Sequence, residues 1–210
     1  RILERTDVGI EAQDKNGTTA LIHAIAENQP KIATKILNRT DVGINFKSEH
    51  GNTALMLAID KNQPEIATQI LDKGGVDVNI QDKNGLTALM FAIINNQPEI
   101  ATQILDKDGV NVNIQSDEGY TALMVAIMND QPEIVNQILD KPDIDINIQN
   151  KYGSTALMVA IHRNQPEVAM KLLNKKRKAI AKEILKIPTI NVKLKDNNGN
   201  TALMLANQLD

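Results

Sequence analysis

Apolar and polar positions fall in blocks along the chain, and residues 51–84 show the scheme. Ala54-Leu55-Met56-Leu57-Ala58-Ile59 is apolar nearly all round and rich in helix formers, which predicts a helix sandwiched between neighbours. Thr53 ahead of it can cap the first turn, its hydroxyl accepting from a free backbone N–H. Asn62 ends the helix, because Asn tolerates the left-handed conformation used just past a helix C-terminus. Pro64 suits the first turn of a second helix, where a missing N–H costs nothing, and Glu65 favours the positive end of its dipole. That second helix runs through residues 66–71, with Ile66, Ile70 and Leu71 on one face. Gly74-Gly75 breaks it. Val76-Asp77-Val78-Asn79-Ile80 then alternates apolar and polar, the pattern of an extended arm, and Asp82-Lys83-Asn84-Gly85 reads as a turn.

The block recurs. Thr-Ala-Leu stands at residues 19–21, 53–55, 87–89, 121–123, 155–157 and 201–203, with a Gly two positions ahead of each copy. The first five copies are 34 residues apart and the last interval is 46. A fixed period of this size predicts a stack of one supersecondary unit without a central pocket, which points to binding and away from chemistry. Residues 1–210 therefore read as a single array. It comprises a partial repeat at 1–12, repeats starting near 13, 47, 81, 115 and 149, and a terminal half-repeat at 195–210. Residues 168–174 and 180–186 both fit the second-helix pattern, so a 12-residue insertion near 175–186 explains the long interval. With no Gly or Pro between Glu167 and Ile187, one elongated helix from about Pro166 to Ile187 is expected. Residues 1–10 match residues 35–44 at the same offset, so the chain begins within a repeat, without an initiator Met. It is expected to be a fragment of a longer protein.

These units resemble the ankyrin repeat. The family pattern runs Asp-x-x-Gly-x-Thr-Pro-Leu-His-x-Ala, then Glu-Ile-Val, Leu-Leu and Asp-Val-Asn. It is matched by Asp82, Gly85, Thr87, Leu89 and Ala92, then Glu99-Ile100-Ala101, Ile104-Leu105 and Asn111-Val112-Asn113. The resemblance covers essentially the whole chain and recurs in register in every unit. It implies an all-α solenoid of helix-turn-helix units joined by extended hairpin-like arms, with a surface for a protein partner. The departures are consistent. The family's Pro is Ala throughout and its His is Met or Ile, so apolar packing replaces a polar contact. Ile22, Met56, Met90, Met124, Met158 and Met204 are accordingly expected in the core. The Gly between the helices is Asn or Asp, followed by Gln-Pro, and the period exceeds the usual length of about 33 by one.

Composition narrows the chemistry. With two Phe, two Tyr and no Trp, the core must be built from Ile, Leu, Ala, Val and Met. No cysteine occurs, which excludes disulfides, thiol catalysis and thiolate-held zinc, and fits a reducing compartment. A net charge of −3 is too mild for nucleic acid as the main partner. No apolar run approaches the roughly 18 residues of a membrane span, so membrane insertion is not expected. His23, His50 and His162 occupy different repeat slots and lack a repeated carboxylate partner, so neither catalysis nor a metal is expected of them. Asp14, Asp82 and Asp196 read as turn residues bonding nearby N–H groups, and the recurrent glycines as punctuation. No cofactor is expected.

Slots where the repeats disagree are free of packing duty. The most variable flank the turn Gly and precede Asn-Gln-Pro, and in the ankyrin family these face the concave surface. They are polar in the first two units. From the third to the fifth they carry Leu86, Ile94, Tyr120, Met128 and Tyr152, with His162 and Arg163 alongside. Aromatics and Met are enriched at interfaces, so these seven residues are the candidate partner patch. Ordinary scattered surface residues are the other reading. Lys175-Lys176-Arg177-Lys178 is a candidate basic patch, readable as a nuclear-import address, an acidic-partner site or a solvated helix face.

Two functions stay open. One is a non-enzymatic, monomeric scaffold that binds a partner protein on the concave face of units three to five. Its Asn/Lys/Ile/Gln-rich repeats are similar to arrays that intracellular bacteria deliver into host cells, which implies a cytoplasmic place, or the host cytosol for such an effector. The other is the targeting array of a larger enzyme whose catalytic domain lies outside residues 1–210.

Overall fold

The computed structural model describes residues 9–185, with side chains as far as residue 180. Within them ten helices follow in five pairs. These are α1 (Ala20–Ala26) with α2 (Pro30–Leu37), α3 (Ala54–Asp60) with α4 (Pro64–Leu71), and α5 (Ala88–Ile94) with α6 (Pro98–Leu105). Then come α7 (Ala122–Met128) with α8 (Pro132–Leu139), and α9 (Ala156–His162) with α10 (Pro166–Leu185). First helices stack in the order α1, α3, α5, α7, α9, and second helices in the order α2, α4, α6, α8. All but α10 are seven or eight residues long, too short to persist in water alone. Their stability comes from their neighbours.

Local chemistry sets each pair. The hydroxyls of Thr19, Thr53, Thr87 and Thr121 accept the N–H three residues on at 3.3–3.4 Å. Thr155 makes no such bond. Asn28, Asn62, Asn96, Asp130 and Asn164 turn the chain between helices at φ of 50–54°, the left-handed region that Asn and Asp tolerate. A proline opens every second helix.

The core is one continuous column. Ile25, Ile59, Ile93 and Ile127 are fully buried, and Met56, Met90 and Met124 are only 1% exposed. Ile22 is buried with them. Met158 departs from the expected core role: it is 53% exposed, and Ile161 beside it 63%. In each earlier repeat the matching face is covered by the next first helix. The unit assigned to that place, 195–210 with Asp196 and Met204, lies outside the described residues, as does most of the partial repeat at 1–12.

The extended arms are not joined as a backbone ladder. Among the described residues the only β-type pairing is an isolated bridge between Gln81 and Thr87. Side-chain amides stand in for a ladder. Asn45, Asn79 and Asn113 donate through Nδ2 to the carbonyls of Gly75, Gly109 and Asp143, each at 2.8 Å. Their Oδ1 atoms accept from the N–H groups of Asp77, Asn111 and Asp145 at 2.8–2.9 Å. Each amide thus satisfies a donor and an acceptor of the next arm.

Two more ties cross every junction. At the hairpin tips, the N–H groups of Glu49, Lys83, Asp117 and Lys151 donate to the carbonyls of Asn16, His50, Asn84 and Glu118 at 2.7–3.1 Å. Tips approach so closely that a Cβ on Gly85, itself at φ 74°, would lie 2.6 Å from Asp117 N. Within the stack, Gln63, Gln97, Gln131 and Gln165 donate through Nε2 to the carbonyls of Ile25, Ile59, Ile93 and Ile127 at 2.8–2.9 Å. Those carbonyls also accept the N–H groups of Asn28, Asn62, Asn96 and Asp130 at 3.0–3.3 Å, so the glutamine fills a second lone pair.

α10 is a single helix of 20 residues, unbroken through Lys175–Lys178. Against the eight residues of α8 it has 12 more, which carry it about 18 Å further. The last residues of the expected span, 186 and 187, lie outside the described residues.

Two stability outcomes follow, both readable by urea unfolding. Met90→Ala should cost about 2–5 kcal/mol, as for truncation in a packed core, while Met158→Ala should stay within about 0.5 kcal/mol. Gln97→Leu keeps the bulk but removes the donor to Ile59 O, which retains its bond from the Asn62 N–H, and should cost about 0.5–1.5 kcal/mol. A smaller loss would show that the tie is dispensable.

Candidate partner-binding groove

Hairpin tips and the last turns of the first helices together build one face of the array. Between the fourth and fifth units this face opens into a groove of about 470 Å³. Its walls are Tyr120, Met128, Tyr152, His162 and Arg163, together with Asn150, Ser154, Met158 and Val159.

Each wall is held by a turn or a helix end. Tyr120 follows left-handed Gly119, and its N–H donates to Ser116 Oγ at 3.1 Å. Asn150 Oδ1 accepts from the N–H groups of Tyr152 at 3.0 Å and Ser154 at 2.9 Å, which fixes the fifth tip. The two rings lie 6.4 Å apart, tilted by 49°, inside the range of favourable aromatic pairs. Tyr120 is partly buried against the core, whereas Tyr152 is 71% exposed. The Tyr152 hydroxyl donates to Glu118 Oε2 at 3.3 Å, and Lys151 Nζ lies 3.6 Å from Glu118 Oε1. Met128 and His162 end α7 and α9, and Arg163 caps α9, its N–H donating to Val159 O at 2.9 Å.

Five of the seven sequence-selected residues therefore meet in one groove. Leu86 and Ile94 do not line it: Leu86 is half-buried against the core, and Ile94, 48% exposed, ends α5 one repeat earlier. Asn150, Ser154, Met158 and Val159 were not among the candidates. Asn150 fills the turn slot of Asp14 and Asp82, a signal that reports the turn and not the groove, and Met158 had been assigned to the core.

The basic run divides. Lys175 donates to Leu139 O and, with Lys171, Lys178 and Asp140, lines a separate groove of about 440 Å³ between α8 and α10. Lys176 and Arg177 are exposed.

The histidines separate too. His23 Nε2 lies 3.1 Å from Asp14 Oδ2, and His50 Nε2 is 4.0 Å from Glu49 Oε1, while His162 lines the groove. The Asp14 carboxyl is held below its usual value, first by the Thr18 N–H and then by His23. Asp14 and Asp82 each accept two backbone N–H groups at 2.7–2.9 Å, as turn residues do. Among the described residues no group of three or more His, Cys, Asp or Glu is placed to hold a metal, and no helix is long and apolar enough to cross a membrane.

A family model of ankyrin repeats (3 copies) matches residues 1–82, 69–150 and 143–210. The chain belongs to the ankyrin-repeat family. An ankyrin-repeat protein of known crystal structure, EF0377, is similar at 26% identity and a TM-score of 0.66, with 93% of each chain covered. No curated protein matches the chain. Ankyrin repeats are in general non-enzymatic protein–protein interaction modules, which makes proteins the partners of this array.

The exposure of Tyr152 separates face from frame. Tyr152→Ala should change unfolding free energy by no more than about 0.5 kcal/mol, measured by chemical denaturation.

Proposed function

We propose that this ankyrin array is a non-enzymatic scaffold that holds a partner protein on the concave face of its third to fifth repeats. Tyr120, Met128, Tyr152, His162 and Arg163 carry the contact, and Leu86 and Ile94 extend it toward the third repeat. One observation supports this most: five of the seven side chains selected from the variable slots line a single groove. A stacked array presents such residues already positioned, so little ordering entropy is lost on docking. Tyrosine anchors in such a surface contribute about 2 kcal/mol or more each. As a scaffold of this kind the chain acts as a monomer in a reducing cytoplasm, which its cysteine-free sequence supports. Its likeness in composition to bacterial arrays delivered into host cells makes host cytosol the extract to probe first.

The test compares wild type with the Tyr120→Ala, Tyr152→Ala double variant, both verified as folded by circular dichroism. Wild type immobilised in the lysate should retain a protein that the double variant loses. Equal retention by both would place the contact elsewhere.

A further inference from the structure

Resting on the groove as the partner site, we propose that its occupant is an extended acidic segment. Its carboxylate seats on Arg163, and a neighbouring aliphatic or aromatic side chain enters the groove beside Tyr120. Charge around the groove is unbalanced. Glu118, the acid beside the tyrosines, is already engaged by the Tyr152 hydroxyl at 3.3 Å and faces Lys151 at 3.6 Å. On the opposite wall stand Arg163 and His162, and neither has an ion pair among the described residues.

A cation at a helix C-terminus gains from the macrodipole, but only by a few tenths to about 1 kcal/mol at an exposed site. The fold does not demand it, because Glu27, Asn95 and Asn129 fill the same slot in other repeats. Arginine stays charged under all physiological conditions, and its planar fork matches a carboxylate in two parallel hydrogen bonds. Met128 beside it offers an adaptable apolar wall. A groove of about 470 Å³ is of the size that takes a side chain with its flanking backbone. Together these favour a peptide in which a carboxylate adjoins a large apolar residue.

The test is selection of a displayed random dodecapeptide library on the immobilised 210-residue chain, with Arg163→Glu and the Tyr120→Ala, Tyr152→Ala double variant in parallel. Recovered peptides should pair Asp or Glu with Leu, Phe or Tyr. Labelled copies should bind Arg163→Glu about tenfold or more weakly by fluorescence anisotropy, as expected for loss of a charge-assisted bond. Selection on Arg163→Glu should instead enrich Lys or Arg. Peptides that depend on the tyrosines but bind Arg163→Glu equally would overturn the acidic occupant while leaving the groove as the site. No enrichment, or binding that survives loss of both tyrosines, would overturn both.

Discussion

One side-chain amide per junction carries the constraint on which the array depends. The carbonyls of Ile25, Ile59, Ile93 and Ile127 accept the N–H three residues on, which leaves each a second lone pair beneath the next unit. A hydrogen bond made to that lone pair contributes about 0.5–1.5 kcal/mol. Gln63, Gln97, Gln131 and Gln165 make it by donating across the junction, one per repeat. Their placement follows from the left-handed Asn or Asp before them and the Pro after them, which aim the glutamine back at the preceding repeat. The Asn-Gln-Pro triad is therefore a joint as well as a turn.

Much of this was legible in the sequence because each cue acts locally. Asn62 fits left-handed backbone, Pro64 fits a first helical turn, and Thr53 caps the helix it precedes. The glutamine joint was not legible, since its acceptor lies 38 residues away and nothing in the triad names it. How the extended arms pair was not legible for a related reason. Val76, Val78 and Ile80 alternate as a strand would, but Asn45 and Asn79 take up the backbone groups that a partner strand would have used. Met158 shows a third limit. Its slot is filled by buried methionines in earlier repeats, yet Met158 itself is 53% exposed, and the slot alone does not report that difference.

The candidate site was legible to the extent that a linear stack converts repeat slot into position in space. Tyr120 and Tyr152 occupy different slots around the turn, yet they meet because consecutive tips touch. Leu86 and Ile94 belong one repeat earlier and so fall outside the groove, a distinction that slot variability alone does not draw. Surface residues can change freely here because the joints use backbone groups and recurring amides. The face is thus separable from the frame that displays it.

That separation has an electrical consequence. The recurring ties between repeats, glutamine, asparagine and tip backbone alike, are made by groups that carry no charge, while lysines such as Lys175 add charged donors at the second helices. Cohesion of the stack accordingly rests mainly on apolar packing and neutral hydrogen bonds, which salt screens little. The concave face differs, because Arg163, Lys151 and Glu118 lie at the surface within reach of screening ions. Salt can loosen what the array holds without loosening the array.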